Sequence, residues 1–473
     1  MKKVAIVGSG ISALACAVAL KEEGIDFVVL EKGPAAGGKL LTEKVDGFVV
    51  EAGPDSFLPE KPWTLDLIRK VGLEDQLLAT NEERKGTYIY SRGRLHRLPE
   101  GVILMVPTML MPLARSRLIS LPGKVRMGME AFVPAKKDGS DESLARFVTR
   151  RLGRECLEKI AEPLVAGIHT SDPEDMSVKA VFPRFLEMEK RSGSLIRAMV
   201  KTMKKAPPVT TFPKLTYFMS LKEGMQQLVD RCVSFAGEER IRTSCEVTQV
   251  RSASQGYEVL AGSERMVFDA VVLATPAYVT HDVLGPMAPA LADRLSPIAW
   301  SSTATISLAF AGHGVPSRLP GFGFIVPRVE QRRINAATWS SIKWSFRAPP
   351  HCQLIRVFVG GGQHEELVSC EDKDLVAIVR EELGEIAGIT GEPLFSKVYR
   401  WARSMPRYTV GHLDRVDAID DARKPYPGLY LTGCSYRGIG IGDCVRSGFE
   451  AAQKIAAASR DRAARGGCTD NCR

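Results

Sequence analysis

The sequence predicts an α/β protein with a Rossmann-like nucleotide-binding domain, a mixed-sheet domain and an inserted, mostly helical domain. Three observations lead to this fold class. The chain opens with the pattern of a strand, a helix and a second strand, at Val4–Val7, Ile11–Glu23 and Phe27–Leu30. Residues from about 60 to 205 are mostly helical in pattern. Roughly the last hundred residues return to a strand, Gly428–Thr432, then a glycine-rich turn and a helix, so one domain is assembled from distant segments.

Length and composition describe a folded protein without membrane-spanning segments. The chain has 473 residues, of which 45% are hydrophobic and 25% charged, so two or three domains can bury a large core. No apolar run reaches the about 18 to 20 residues that a transmembrane helix needs. The net charge of +9 would suit nucleic acid, an anionic membrane surface or a polycarboxylate substrate. The basic block at 146–154 fits one solvated helix face without any RNA-module signature, so we expect no nucleic-acid partner.

Cysteine and histidine usage predicts a cytoplasmic protein without a metal site. The 10 cysteines lack the spacing of a disulfide scaffold, and the 7 histidines stand singly, never at metal-ligand spacing. The first residues, with Lys2 and Lys3 before an apolar stretch, superficially resemble a signal peptide. The internal glycines and the charged residues within Lys21–Gly24 fit a strand, a turn and a helix better than they fit a signal peptide. We therefore expect a cytoplasmic location.

A proline-rich connector near 205–213 separates a helical part of the chain from a strand-rich part. The helical patterns are Thr64–Val71, Ser143–Ile160 and Phe185–Lys204. The later patterns are strands at Glu246–Val250, Tyr257–Leu260, Ala270–Ala274, Thr303–Phe310, Gly323–Val326, Leu354–Val359 and Lys397–Trp401, with helices at Asp372–Ala387 and about Cys444–Ala458. Gly101–Leu113 is nearly all apolar but contains two prolines. It is either a core helix broken by proline or an apolar segment that lines a cavity or inserts into a membrane surface.

The strongest local motif is Gly8-Ser9-Gly10-Ile11-Ser12-Ala13, between the first predicted strand and helix. Gly8 permits the tight turn, Gly10 lets the backbone approach a pyrophosphate, and Ala13 keeps the helix close to the strand. The free N–H groups of the helix N-terminus would face the phosphate charge. Glu31 ends the second strand, where a carboxylate can accept both ribose hydroxyls, so the pattern predicts FAD or NAD binding.

Two other patterns each fail at one position. Gly33–Lys39 satisfies the first seven positions of a phosphate-binding P-loop, but the eighth is Leu40, which has no hydroxyl to hold magnesium. Gly433–Gly438 misses the nucleophile-elbow spacing by one residue. The sequence therefore argues against an NTPase and against a serine hydrolase.

An ordered series of short motifs runs through the chain. After the glycine motif and Glu31 come Gly37-Gly38-Lys39, Gly47–Phe57, Glu162–His169, Thr338-Trp339, Arg400-Trp401, Met405–Tyr408, Gly411-His412, Pro427–Gly433 and Gly438–Cys444. The series resembles the flavin amine oxidase superfamily, and within it the protoporphyrinogen/coproporphyrinogen oxidases. The resemblance covers residues 1 to about 458 and is nearest to the bacterial enzymes that oxidise coproporphyrinogen III.

The resemblance implies an oxidoreductase with non-covalently bound FAD that converts a porphyrinogen to a porphyrin in haem biosynthesis. The substrate would lose six electrons in three hydride transfers to the flavin, with oxygen as the acceptor and hydrogen peroxide as the product. Coproporphyrinogen III is the favoured substrate, with protoporphyrinogen IX close behind. Because a porphyrinogen is apolar but carries propionates, we expect an apolar pocket rimmed with Arg and Lys.

The same resemblance implies the cofactor-binding residues. They are Gly8, Gly10, Ala13, Glu31, Gly37, Gly38, Lys39, Gly53, Pro54, Asp55, Ser56, Val247, Gly433, Gly440, Asp443 and Val445. Glu51–Ser56 would lie near the isoalloxazine, and Val247 would meet the adenine through its backbone. Gly440–Val445 would place a helix N-terminus at the N1/O2 edge of the flavin.

The chain departs from the family pattern at three positions. Ala35 stands where an Arg is often found, so one phosphate-side cation is missing. Asp55 stands where many relatives have Asn, which puts an acceptor beside the reaction and makes Asp55 the candidate catalytic residue. Thr87 stands where some relatives carry an Arg that anchors a propionate. The expected substrate-binding residues are Lys85, Arg92, Arg94 and Trp339, with Arg84 as a further candidate for the missing Arg.

The predicted domains use distant segments of the chain. The FAD-binding domain would comprise 1–60, 221–280 and 396–460; the helical domain, facing substrate or membrane, 86–205; the substrate-binding domain, 206–220 and 281–395; and a flexible tail, 461–473. Oxygen and a porphyrinogen are the expected partners, while peripheral contact with the inner face of the membrane and a homo-oligomer stay open. Two alternatives also remain. One is another FAD-dependent oxidase or desaturase, such as an amine oxidase or carotenoid desaturase, and the other is a non-catalytic dinucleotide-binding protein.

Overall fold

A computed structural model describes residues 3–103, 105–205 and 215–467. Its strands are β1 (Val4–Val7), β2 (Phe27–Leu30), β3 (Thr42–Val45), β4 (Phe48–Glu51), β5 (Leu77–Ala79), β6 (Tyr88–Ser91), β7 (Arg94–Arg97), β8 (Val102–Ile103), β9 (Val106–Pro107), β10 (Met219–Leu221), β11 (Ile241–Arg242), β12 (Val247–Ser252), β13 (Tyr257–Ala261), β14 (Glu264–Phe268), β15 (Ala270–Leu273), β16 (Trp300–Ala311), β17 (Gly323–Ile325), β18 (Ala336–Trp339), β19 (Cys352–Gly360), β20 (Phe395–Pro406) and β21 (Leu429–Leu431). Its α-helices are α1 (Ile11–Glu22), α2 (Pro62–Lys70), α3 (Leu110–Arg115), α4 (Leu121–Gly128), α5 (Leu144–Leu152), α6 (Arg154–Cys156), α7 (Glu162–His169), α8 (Val178–Val181), α9 (Pro183–Ser192), α10 (Leu195–Lys205), α11 (Gln226–Ala236), α12 (Ala277–Leu284), α13 (Pro289–Leu295), α14 (Ser340–Lys343), α15 (Asp372–Ala387), α16 (His412–Arg423) and α17 (Ile441–Gly467). The predicted connector beyond residue 205 and the end of the predicted tail, 468–473, lie outside the described residues.

A five-stranded parallel sheet in the order β11-β2-β1-β15-β21 forms the predicted nucleotide-binding domain. Its strands are continuous apolar runs because both faces are covered. One face packs on α1, α11 and α17, and the other on α12, α13, α16 and the small sheet β12-β13-β14. The order reverses beside β1, which is where α/β sheets bind ligands at the carboxyl ends of their strands.

A seven-stranded mixed sheet, β20-β16-β19-β18-β17-β6-β7, forms the second layer and packs one face on α15. Two predicted domain boundaries differ from this arrangement. The hairpin of β6 and β7 lies in this sheet rather than in the helical domain, because β6 pairs in parallel with β17. β20 also lies here rather than in the FAD-binding domain, because it pairs with β16 along its length. Both pairings join residues far apart in the chain, which no local pattern indicates.

The helical region from α3 to α10 has its own apolar core. The predicted helix at Ser143–Ile160 is interrupted after α5, and the one at Phe185–Lys204 between α9 and α10, each at a glycine with positive φ. Gly101–Leu113 is not the predicted core helix broken by proline, because it contains the hairpin of β8 and β9 followed by the start of α3. The alternative, an apolar segment that lines a cavity or lies at a membrane surface, stays a prediction. Within the described ranges no helix is both long and apolar enough to span a membrane.

A buried ion-pair network holds this region together. The Arg151 guanidinium on α5 is fully buried and donates to the buried Glu130 carboxylate and to the carbonyl oxygen of Gly193. Glu130 also accepts from the Ser194 hydroxyl (2.5 Å) and the Leu195 backbone N–H (2.9 Å) at the beginning of α10. Arg151 therefore fixes the relative positions of α5 and α10.

Replacing Arg151 tests this network. Arg151→Met should lower the free energy of unfolding by about 3–5 kcal/mol, because it leaves the Glu130 carboxylate buried without its cation. The matched control, Arg154→Met, removes an exposed pair with Glu158 and should leave the free energy of unfolding nearly unchanged. Urea unfolding of the three proteins measures both effects, and equal losses in the two variants would contradict the argument.

Candidate active site

The predicted glycine motif lies where the chain leaves β1 and enters α1. Gly8 has a φ of +93°, and a Cβ there would lie 3.1 Å from the carbonyl oxygen of Ala274, so the turn requires glycine. Gly10 is the N-cap of α1 and offers no side-chain cap. Apart from the adjoining backbone, no atom of the described residues lies within 4 Å of the position that a Cβ of Gly10 would take. The first N–H groups of α1 therefore face a space that fits an anionic phosphate.

The Glu31 carboxylate lies beside this turn. Its Oε2 accepts from the backbone N–H (2.8 Å) and the hydroxyl (2.6 Å) of Ser9, and its Oε1 accepts from the Gly33 N–H (2.7 Å). A carboxylate has about four acceptor positions, so one remains for a ribose hydroxyl. The Cys245 N–H donates to the Glu31 carbonyl oxygen (2.7 Å), which brings the start of β12 at Val247 close to this point. Adenine contact by Val247 stays a prediction.

The loop that contains Gly37, Gly38 and Lys39 packs against the beginning of α1 and against the segment after β4. Gly37 forms an isolated bridge with Gly10, and a Cβ at Gly38 would lie 3.3 Å from the Gly10 Cα. Gly53 packs backbone to backbone on Lys39, since a Cβ at residue 53 would lie 1.8 Å from the Lys39 carbonyl oxygen. Only glycine fits at residue 53 without moving the loop.

The C-terminal motif brings a second helix to the same edge of the sheet. α17 begins at Ile441, three residues earlier than predicted. Asp443 therefore lies in the first turn of α17, where its carboxylate pairs with Lys61. A Cβ at Gly448 would lie 2.1 Å from the Ser12 carbonyl oxygen, so α17 packs tightly on α1 near the beginnings of both helices.

Side chains from the seven-stranded layer hold the candidate catalytic Asp55. Its Oδ2 accepts from Lys343 Nζ (3.1 Å) and Trp344 Nε1 (2.9 Å), and its Oδ1 accepts from the Ser56 hydroxyl (2.7 Å). Burial alone would raise the pKa of this carboxyl. The charges of Lys343 and Arg356, with the hydrogen bonds from Trp344 and Ser56, outweigh burial and hold the pKa well below its usual range. Asp55 is therefore ionised and only accepts hydrogen bonds.

The carbonyl oxygen of Ala52 fixes the same segment to the seven-stranded sheet. It accepts from the Thr305 hydroxyl (2.8 Å), Trp401 Nε1 (3.0 Å) and Arg356 Nη2 (3.3 Å), which come from β16, β20 and β19. Arg356 also donates to the carbonyl oxygen of Gly53. The segment after β4 is thus fixed to the seven-stranded sheet.

Glu51 and Arg347 form a second buried pair beside this segment, with 3.5 Å between Oε1 and Nη2. Burial raises the pKa of Glu51, although Arg347 and hydrogen bonds from Thr42 and Met225 oppose the shift. Burial also lowers the pKa of Arg347. We call Glu51, Asp55, Lys343, Arg347 and Arg356 the buried charge cluster.

The predicted basic substrate-binding residues do not come together. Lys85 precedes β6 and pairs with Glu82 at 3.0 Å. Arg92 and Arg94 lie at the opposite end of β6, where the Arg92 backbone N–H donates to the Glu330 carboxylate at 3.0 Å. The 4 residues of β6 separate the two ends by about 13 Å. Propionate binding by these residues stays a prediction, and one propionate cannot reach both groups.

Trp339 lies in the core rather than at an open surface. It is fully buried between β17 and β19, and its ring packs against Phe324 with 5.6 Å between centroids. Its indole N–H donates to the Pro320 carbonyl oxygen at 3.1 Å. The structure therefore gives Trp339 a packing role, which does not support the predicted contact with substrate.

The other predicted cofactor-binding residues lie on α1, on α17 and just before it, after β21, in the loop of Gly37 and Gly38, and in the segment after β4. Ala13 on α1 and Val445 on α17 are buried, while Gly433 follows β21 and Gly440 precedes α17. Pro54 is exposed and Ser56 is half-buried. The Lys39 ammonium donates to the Ser404 carbonyl oxygen. Their contacts with a cofactor stay predictions. Across the described residues, no group of three or more His, Cys, Asp or Glu side chains is placed to hold a metal ion.

Sequence reasoning missed several residues that touch the segment after β4, among them Lys343, Trp344 and Arg356. Of these three, a local signal existed only for Arg356, a charged residue inside an otherwise apolar strand pattern. Lys343 and Trp344 follow a strand without any motif, and only the tertiary fold brings them to Asp55.

Comparison with known proteins identifies the family that this chain resembles. A family model described as flavin containing amine oxidoreductase matches residues 11–456. The chain is 34% identical to the coproporphyrinogen III oxidase of Bacillus subtilis, over 94% of this chain and 96% of that protein. It is 32% identical to the enzyme of the same name from Staphylococcus aureus, over 96% and 99%. A solved structure from Exiguobacterium, provisionally named as a protoporphyrinogen oxidase, superposes with a TM-score of 0.85 at 30% identity and covers 96% of this chain and 99% of that chain.

The space at Gly10 gives a direct test of the cofactor site. Gly10→Val should abolish flavin binding, because its side chain would occupy the space in front of α1. The apo forms of variant and wild type should melt within a few degrees of each other, since no protein atom is displaced. Flavin absorbance per protein after desalting measures occupancy, with Gly139→Val, at another open position, as the control. Full occupancy in Gly10→Val would overturn the placement.

Proposed function

The chain belongs to the flavin-containing amine oxidoreductase family and is a FAD-dependent oxidoreductase, and from this premise we propose that it oxidises a porphyrinogen to a porphyrin in haem biosynthesis. Coproporphyrinogen III is the proposed substrate. One observation carries the proposal: the similarity to bacterial proteins named coproporphyrinogen III oxidase extends over nearly the whole of both chains.

The residues present fit FAD. The N–H groups at the beginning of α1 suit its pyrophosphate, and the remaining acceptor position of Glu31 suits its ribose. Bound FAD would supply the hydride acceptor. Asp55 would present an ionised acceptor next to the substrate, and the exposed Pro54 beside it leaves room for a ring.

The overall reaction balances with oxygen as the electron acceptor. A porphyrinogen loses six hydrogen atoms on the way to a porphyrin, and three oxygen molecules become three hydrogen peroxide molecules. The protein's part is to bind, orient and exclude water. The buried charge cluster contains more cations than carboxylates, so it favours the negative charge that collects on a reduced flavin.

A side-by-side assay tests the proposed function. The purified protein in air should form porphyrin from coproporphyrinogen III with a kcat/KM at least about tenfold above that for protoporphyrinogen IX, because extra propionates add charged hydrogen bonds. Porphyrin fluorescence follows the product, and a peroxide assay should find three equivalents per porphyrin. Gly10→Val serves as the flavin-free control. If neither substrate outpaces that control, the proposal fails and amines and carotenoids become the substrates to try.

An exposed apolar stripe on the helical region supports peripheral membrane contact. It consists of Leu121 (74% exposed), Val125 (58%), Met129 (52%) and Phe132 (81%), along α4 and the turn that follows. Between residues 101 and 137 the chain carries six Lys and Arg and a single carboxylate, Glu130, which is buried. An apolar stripe amid basic residues suits a membrane that contains anionic lipid.

Vesicle sedimentation tests this contact. Val125→Glu and Phe132→Glu should each weaken binding to vesicles with anionic lipid about tenfold, because a charge then replaces an inserted apolar group. The matched control, Val267→Glu, changes an exposed valine on β14 and should bind like the wild type. If vesicles leave the wild type in solution and Phe132→Glu instead dissociates a dimer, the stripe is a contact between copies of the chain.

A further inference from the structure

Lys343 is a firmly held cation at the candidate active site. Its side chain is only 12% exposed. The ammonium lies 5.0 Å from the centroid of the Phe218 ring and 4.9 Å from that of the Trp344 ring, and it donates to Asp55 Oδ2 at 3.1 Å. Two aromatic faces and one carboxylate leave the ammonium little freedom to move. Lys343 is therefore able to set the orientation of the Asp55 carboxylate.

The hydrogen bonds of Asp55 leave one acceptor position unused. Oδ2 takes the N–H groups of Lys343 and Trp344, and Oδ1 takes only the hydroxyl of Ser56. A carboxylate has about four acceptor positions, so Oδ1 has one to spare. The Asp55 side chain is 18% exposed and follows the exposed Pro54, so a donor can reach it.

We propose that Lys343 is a positioning residue, which orients the Asp55 carboxylate so that Oδ1 accepts a hydrogen bond from a pyrrole N–H of the substrate. This inference rests on the proposed function, because the donors are the four pyrrole N–H groups of a porphyrinogen. The hydrogen bond would fix the ring against the segment Gly53–Ser56. Lys343 acts through Asp55 and touches no reacting atom.

Charges from three elements act on Asp55. Lys343 ends α14, Arg356 lies on β19, and the pair of Arg347 and Glu51 lies further away. With Lys343 present, the pKa of Asp55 lies below its usual range, so the carboxylate accepts a hydrogen bond without taking the proton. Without Lys343, Arg356 and Arg347 remain but the largest opposing charge is lost. The pKa of Asp55 is then higher than in the wild type, because only the remaining cations and hydrogen bonds oppose burial, and the carboxyl takes up a proton at a higher pH.

The pH dependence of kcat/KM separates this role from plain packing. Above about pH 5.5 the wild type should show no decline that Asp55 causes. Lys343→Met should lose about 10- to 100-fold in kcat/KM at about pH 6 and less at about pH 8, because protonation removes the acceptor. Lys343→Arg should restore the flat profile, and Lys343→Met/Asp55→Asn should lose the pH dependence. Rates are taken relative to the wild type at each pH, which cancels titration of the substrate's propionates.

Controls and a second readout distinguish the possible failures. Lys179→Met removes an exposed lysine paired with Asp414 and should match the wild type throughout. The visible absorption of bound flavin should shift with pH in Lys343→Met and not in Lys343→Arg, whatever the substrate. A Lys343→Met variant with a wild-type pH profile and flavin spectrum overturns the proposal. If the wild type oxidises no porphyrinogen, the proposed function fails, and with it the pyrrole contact, while the flavin titration still decides whether Lys343 controls Asp55.

Discussion

The backbone contact between Gly53 and Lys39 is the constraint on which the rest of the structure depends. A Cβ at residue 53 would lie 1.8 Å from the Lys39 carbonyl oxygen, so the two segments meet without any side chain between them. The same short segment carries Ala52, whose carbonyl oxygen accepts three hydrogen bonds from the seven-stranded sheet. The segment after β4 is thereby held between the loop of Lys39 on one side and side chains of the mixed sheet on the other, and Asp55 is placed next to both.

Burial of several charges beside this segment carries a cost in solvation that packing alone does not explain. Replacing buried ion pairs by apolar side chains of similar volume is often neutral or stabilising. A buried charge cluster is therefore better explained by what it does to neighbouring groups. Lys343 and Arg356 keep Asp55 ionised, and Arg347 opposes the protonation of Glu51. The cluster thus maintains a fixed pattern of acceptors and positive charge where a flavin and its substrate would meet.

Elements set by local pattern could be predicted from the sequence, and elements set by distant contacts could not. β1, β2 and α15 have the predicted bounds, and α1 ends one residue earlier, because apolar runs, periodicity and glycine punctuation act over a few residues. The assignment of β6, β7 and β20 to one sheet depends on pairings across long stretches of chain. The same division holds in the site. The glycine loops and Glu31 carry a motif, whereas Lys343 and Trp344 meet Asp55 only after folding, and the burial of Trp339 has no local signal.

Part of the net positive charge of the chain lies on one region of the fold. The excess of Lys and Arg between 101 and 137 lies on the helical region. The single carboxylate between residues 101 and 137, that of Glu130, is buried by its contacts with Arg151 and with the beginning of α10. One buried pair therefore both fixes the helices and keeps the Glu130 carboxylate away from the basic residues beside the apolar stripe. Fold stability and surface charge are coupled here, because exposing Glu130 would weaken the core and would add a negative charge beside the apolar stripe.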